Sequence, residues 1–195
     1  MKIPSTVLAF AALASAFATA ASAAVETYVI DPVHSSVSFK IRHFVGRVPG
    51  SFTQFSGTIT VDRDNLENSS VEATIDVGSI NTFNDHRDAD LKSAAYFDAT
   101  KFGTMTFKST SWKKTGDNEF NVTGNLTIKG TTKEVVLKVT LNGFGPGMRG
   151  AQLAGWEATT TLSKADFGVT GPAMLSKALG DEVAVSIAIE SDLKQ

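Results

Sequence analysis

Cysteine is absent, so three histidines are the side chains here that ordinarily titrate near neutral pH. His34 follows Asp31-Pro32-Val33 and is expected where a strand begins after a turn, hydrogen-bonded to nearby backbone. His43 shares parity with Val37, Phe39 and Ile41, which aims its imidazole at an apolar interior. A polar group there needs a partner, a ligand head group, a water or a carboxylate, unless it is a satisfied core histidine. His86 lies in Asn84-Asp85-His86-Arg87-Asp88-Ala89-Asp90-Leu91, a charge run that reads as a solvated loop or first helical turn. The three are not spaced as a metal-ligand set such as H-E-x-x-H, so no metal site is expected. G-x-S-x-G, the phosphate-binding G-x-x-x-x-G-K-[ST] and the Rossmann glycine pattern are all missing, no nucleophile is assembled, and no cofactor is implied. The chemistry on offer is recognition. An enzyme acting on a lipid with His43 or His86 as general base is the alternative, and an interaction module docking a membrane redox or stress protein through the segment Gly143 to Gly155 is a third.

The elements that must position these groups alternate with period two, the mark of strands with one apolar face. Val37, Phe39 and Ile41 share one face; so do Phe55, Gly57, Ile59 and Val61, and then Val71, Ala73, Ile75 and Val77. Met105 and Phe107 continue the series, followed by the runs Phe120 to Ile128, Val135 to Leu141, Trp156 with Ala158, and Val183 to Ile189. Turn residues separate successive runs, as in Asp62-Arg63-Asp64-Asn65, Lys129-Gly130 and Asn142-Gly143. About eight strands with short links imply an all-β, up-and-down antiparallel barrel, because closure removes the two exposed edges of so long a sheet. Leu91, Ala94 and Ala95 recur at helical spacing, and Pro172 opens a run with Met174, Leu175, Ala178 and Leu179 on one side, so one or two short helices are expected to cap an end.

Small inward residues, Gly57, Ala73, Gly124 and Ala158, leave room for a cavity unless facing large residues fill it. A tail inside would lie among Phe39, Ile41, Phe55, Ile75 and Phe107, and further along among Phe120, Leu126, Leu137 and Trp156. His43 and Arg87 would make the polar contacts. Arg87 offers a fixed cation to an anionic or oxygen-rich head group, or else pairs with Asp88 or Asp90. A lipid-embedded barrel would turn its apolar face outward; the short connections and the lack of aromatic girdles argue against one.

The chain opens Met1-Lys2, passes through an Ala-rich apolar stretch and reaches Ala21-Ser22-Ala23, the order of a secretory signal peptide, with cleavage expected after Ala23. The apolar run is too short and too Ala-rich for a permanent membrane anchor, so residues 24–195 are expected to form one soluble, exported domain. The formal net charge of −2 becomes one unit more negative with the loss of Lys2, which excludes a nucleic-acid surface. Homodimer formation is open; the sequence marks no surface for it.

Tyr28-Val29-Ile30-Asp31-Pro32-Val33-His34-Ser35, Phe39 to His43, Gly50-Ser51-Phe52 and Phe55-Ser56-Gly57 together resemble the opening of the YceI family of bacterial exported proteins. Asp76 to Thr82, Arg87-Asp88 with Leu91-Lys92-Ser93, and Tyr96-Phe97-Asp98 are similar to its central signature. Phe107 to Thr110, Gly124 to Gly130 and Asp166 to Val169 continue the match in order. Asp90 departs from it, standing where the family usually has His. The resemblance implies a lipocalin-like barrel that binds polyisoprenoids or similar long-chain amphiphiles in the periplasm, without established catalysis; with the apolar interior it leads to the expectation of a periplasmic carrier for an isoprenoid, quinone or acyl amphiphile.

Overall fold

In the computed structural model, which describes residues 25–175 and 177–194, eleven β segments and one helix build a closed barrel of eight antiparallel staves. The expected leader lies outside the described residues. The segments are β1 (Glu26–Ile30), β2 (Ser36–His43), β3 (Gly46–Phe52), β4 (Phe55–Val61), β5 (Ser70–Asp76) and β6 (Ile80–Asn81), then helix α1 (Asp85–Lys92). β7 (Thr104–Gly116), β8 (Glu119–Ile128), β9 (Thr131–Pro146), β10 (Gln152–Ser163) and β11 (Leu179–Leu193) complete the order.

The first three staves are each broken in two. β1 and β2 both pair with β11, through Val29↔Asp192 and Phe39↔Val185, so together they form one bent stave. β3 and β4 line up against it through Val37↔Phe52 and Tyr28↔Ile59. β5 and β6 form the third stave, through Phe55↔Ile75 and Phe52↔Ile80. From there β7 to β11 follow as a meander, and β11 closes on β1 and β2.

The first break falls at Pro32, which has no N–H for the ladder. Its neighbours keep the seam closed. The Asp31 amide donates to the Glu190 carbonyl at 2.9 Å, and the Ser35 hydroxyl both donates to that carbonyl (3.1 Å) and accepts from the Glu190 amide (3.0 Å). The second break, at Thr53-Gln54, is held by Ser79, whose carbonyl accepts from the Thr53 amide (3.2 Å) and whose hydroxyl accepts from the Gln54 amide (3.0 Å). His34 does not bond backbone as expected. Its Nδ1 meets the Asp31 carboxylate at 2.6 Å on the outer surface, which holds Asp31 below and His34 above their ordinary pKa values.

Two other expectations need correction. α1 stops at Lys92, where Ser93 turns the chain, so Ala94 and Ala95 lie beyond it and only Leu91 packs onto the core. The Pro172 segment forms a single 3-10 turn at Ala173–Leu175. The stretch Gly143 to Gly155, expected as a loop, is mostly the ends of β9 and β10.

Core side chains gather in two clusters. Around one end of the barrel sit Tyr28, Val61, Trp112, Phe120, Val122, Leu141 and Trp156; toward the other sit Val37, Phe52, Val77, Met105, Phe167 and Val169. Each fully buried large side chain contributes roughly 1.5–3 kcal/mol. Outward positions carry charge, among them Lys40, Lys138 and the pair Lys108–Glu72 at 2.6 Å. An apolar lumen inside a charged outer wall is the reverse of a lipid-embedded barrel.

Candidate functional site: an elongated apolar cavity

The barrel encloses one continuous cavity of about 610 Å³. Its wall repeats with the strand period: Trp156, Ala158, Thr160, Leu162 and Lys164 follow along β10 and beyond its end, and Leu179, Val183, Val185, Ile187 and Ile189 along β11. From Trp156 to Lys164 is about 26 Å along the strand, or about 20 Å along the barrel axis at a tilt near 40°.

One end is shut by aromatics. Trp112 stands edge-on to Trp156 (centroids 5.7 Å, 85°), and Phe144 packs edge-on to Trp156 at 6.0 Å. Arg63 lies over the Phe144 ring at 4.1 Å, donating from Nη2 to the Tyr28 hydroxyl at 2.6 Å and from Nε to Glu26 at 2.5 Å, while Tyr28 donates to Glu26 at 2.7 Å. Partial burial pushes the Glu26 pKa up, yet the hydrogen bonds from Tyr28 and Arg63 outweigh it and hold the carboxyl below its usual range. The indole N–H groups of Trp112 and Trp156 are buried and bond no other described residue.

The other end is polar. His43, Asn84, His86, Arg87, Asp90 and Lys164 reach the cavity there, beside α1 and the 3-10 turn. Asn84 caps α1, its side chain accepting from the Arg87 amide at 3.0 Å. That cap turns the Arg87 side chain back onto Thr82, where Nε donates to the hydroxyl and Nη2 to the carbonyl, both at 2.7 Å. The Thr82 amide and hydroxyl donate in turn to buried Asp88, at 2.9 and 2.5 Å. Arg87 thus forms no ion pair with Asp88 or Asp90 among the described residues; it is a braced cation at the mouth. Lys164 donates to the Thr170 carbonyl at 3.2 Å. Asp90 faces the same mouth, and the Tyr96 phenol, pushed up by burial and then by the Asp90 charge, lies close by.

Phe39, Ile41, His43, Phe55, Ile75, Arg87, Phe107, Leu126, Leu137 and Trp156 all line the cavity. Phe120 does not; it is buried beside the wall, packed against Trp112 at 5.9 Å. His43 is exposed at the rim rather than sunk in the apolar interior, because its strand ends there. Of the four small residues, Ala73 and Ala158 are on the wall, whereas Gly57 and Gly124 are covered: a Cβ on Gly124 would lie 2.5 Å from the Phe107 ring, and one on Gly57 would lie 2.8 Å from Ile30. Trp112 was not foreseen on the wall, since a bulge between Ser109 and Ser111 switches β7 from odd to even positions inward.

A family profile for the YceI-like domain matches residues 28–191. The chain belongs to the YceI-like family. Protein YceI of Salmonella arizonae is 39% identical over 184 residues, covering 91% of this chain and 93% of the relative, and Protein YceI of Salmonella newport matches equally. Among solved structures, BcnA of Burkholderia cenocepacia superposes with a TM-score of 0.76 at 25% identity, covering 83% of this chain and 98% of that one. A Campylobacter jejuni YCEI protein superposes at 0.70 and 28%, covering 77% and 88%. A polyisoprenoid binding domain from Saccharophagus degradans shares the fold at 0.67, with 14% identity and coverage of 86% and 98%. The barrel of this YceI-like chain is therefore the family fold.

Proposed function

We propose that this protein binds and carries a long-chain isoprenoid, quinone or acyl amphiphile in the periplasm, after export and cleavage behind Ala23. The observation that carries the proposal is the elongated barrel cavity, apolar along its length and polar at its mouth. At ~1.2 Å per bond along an extended chain, a 20 Å run accepts about 16 main-chain carbons in one pass; longer tails fold back or leave the head outside. At ~0.8 kcal/mol per buried CH₂, such a tail contributes on the order of 13 kcal/mol before ordering costs. The tail lies toward Trp156, and the head sits between His43, Arg87 and Lys164. The polyisoprenoid binding domain of the same fold is consistent with this class of ligand. Among the described residues neither His43 nor His86 has a carboxylate within ion-pair distance to orient it as a base, and binding accounts for the cavity without one.

Protein purified from its own periplasm is extracted with organic solvent and the extract analysed by mass spectrometry; a long-chain amphiphile in near-stoichiometric amount is expected. Protein that carries none, and after delipidation takes up neither polyprenyl nor acyl probes, contradicts the carrier reading. Amino-terminal sequencing of the periplasmic form is expected to begin at Ala24.

A further inference from the structure

The rim of the cavity carries an apolar and cationic fringe that ligand binding does not use. The β2–β3 hairpin turns through Phe44 and Val45, 62% and 106% exposed, and Met174 in the neighbouring 3-10 turn is 87% exposed. Phe44 has a φ of 50°, a left-handed conformation that costs a bulky side chain strain and that glycine would adopt freely. The turn is nonetheless held in place. The Phe44 amide donates to the Ala178 carbonyl at 2.7 Å, and Arg42 Nη1 donates to the Phe44 carbonyl at 3.2 Å. An aromatic ring is thus fixed in solvent beside His43, Leu175 and Leu179, which line the mouth.

The charges around it point to the occupant. Arg42 and Arg47 are direct cross-strand partners, a like-charge pair that destabilises a hairpin unless an anion lies near. Lys177 is exposed on the adjoining segment. None of the three has a carboxylate within ion-pair distance among the described residues, the exposed neighbours Asp181 and Glu182 of β11 included, and Asp181 accepts from the Ala165 amide at 3.0 Å. These cations stand out on a chain whose net charge is negative. Apolar tips beside unpaired cations match the interface of an anionic phospholipid bilayer, where side chains enter the acyl boundary and cations meet phosphate. We propose that the β2–β3 hairpin and the 3-10 turn at Ala173–Leu175 form a membrane-docking edge, inserting Phe44, Val45 and Met174 into an anionic bilayer so that the mouth opens onto the lipid from which the ligand is drawn. The proposal rests on the carrier reading for its purpose, but its test is separate.

The protein is sedimented with vesicles of phosphatidylglycerol and phosphatidylethanolamine, and with phosphatidylcholine alone. Association with the anionic vesicles and little with the neutral ones is expected. Phe44→Ser with Val45→Ser should lower it at least tenfold. Arg42→Gln with Arg47→Gln should lower it about 25-fold at low salt, at roughly fivefold per cation, and far less at high salt. Phe44→Gly relieves the left-handed strain, so it should raise the melting temperature while weakening vesicle binding, a pairing that misfolding cannot imitate. Uptake of geranylgeraniol in vesicle-free solution should be unchanged in all of them. Wild-type protein that ignores anionic vesicles yet takes up geranylgeraniol overturns the docking edge and leaves the carrier reading standing; so do variants that bind vesicles like the wild type. Vesicle association without uptake of either geranylgeraniol or a long-chain acyl probe upholds the edge and removes the carrier reading.

Discussion

Replacing Thr160 with Trp should cut the usable cavity in half without harming the fold. Thr160 is half-buried on the wall of β10, midway between Trp156 and Lys164, and is paired across to Val185. A ring there leaves about 10 Å of cavity above it, room for about eight main-chain carbons at ~1.2 Å per bond. The excluded half of a longer tail forfeits roughly 6 kcal/mol at ~0.8 kcal/mol per CH₂. Because the ring enters open space, the melting temperature should hold or rise. In a filled interior the same substitution would cost about 1–3 kcal/mol, or roughly 2–4 °C per kcal/mol for a domain of this size. Titration of delipidated protein with geranylgeraniol, whose main chain matches the full cavity, and with geraniol, half as long, reads both effects. Wild-type protein should favour the longer alcohol strongly, and Thr160→Trp should nearly abolish that preference while still binding geraniol. An unchanged preference, or a fall of several degrees in melting temperature, would refute the assignment of open space at mid-barrel.

Arg87→Gln should weaken binding of geranylgeranyl phosphate by about ten- to a hundredfold, the scale of one charge-assisted hydrogen bond, and leave geranylgeraniol unaffected; calorimetric titration of both ligands decides it. Gly124→Ala should lower the melting temperature by a few degrees, because its Cβ would sit 2.6 Å from the Lys108 carbonyl and 2.5 Å from Phe107, at a cost of about 1–3 kcal/mol. The closed end should be acid-sensitive. The Glu26 pKa is lower in the folded than in the unfolded chain, so its contribution is present above the ordinary value of 4.5 and is lost as pH falls through the depressed one. Tryptophan emission should therefore shift to the red in that acid window, and Arg63→Gln should move the shift toward pH 4.5.

Much of the barrel was legible because each stave keeps one apolar face, and parity alone put Phe39, Ile75, Leu137 and Trp156 on the cavity wall. Parity failed where the backbone broke its own period. The β7 bulge hid Trp112, and a second irregularity at Gly155 and Trp156 hid Phe144, which follows Gly143 on the opposite phase. Correct parity also did not guarantee contact with the cavity: Phe120 is inward on β8 but is screened by its neighbours. The glycines misled for a related reason, since the volume left by a missing side chain at 57 or 124 is taken up by Ile30 or the Phe107 ring. At the mouth, the charge run showed which groups were present but not how they pair. The Asn84 cap and the left-handed Phe83 (φ 62°) send Arg87 to Thr82 rather than to an acid, and that depends on local backbone geometry.

Both tryptophans of the chain, Trp112 and Trp156, stand at the closed end of the cavity, so intrinsic fluorescence reports what arrives there. The central claim, a hollow barrel that takes a long tail inward and leaves its head at the mouth, is tested most directly with two acyl amphiphiles of equal length. One carries bromine at the tail terminus and the other beside the head group. Strong quenching by the first and weak quenching by the second, at equal occupancy, is the expected result. Equal quenching by both, or none from either once binding is saturated, would contradict it.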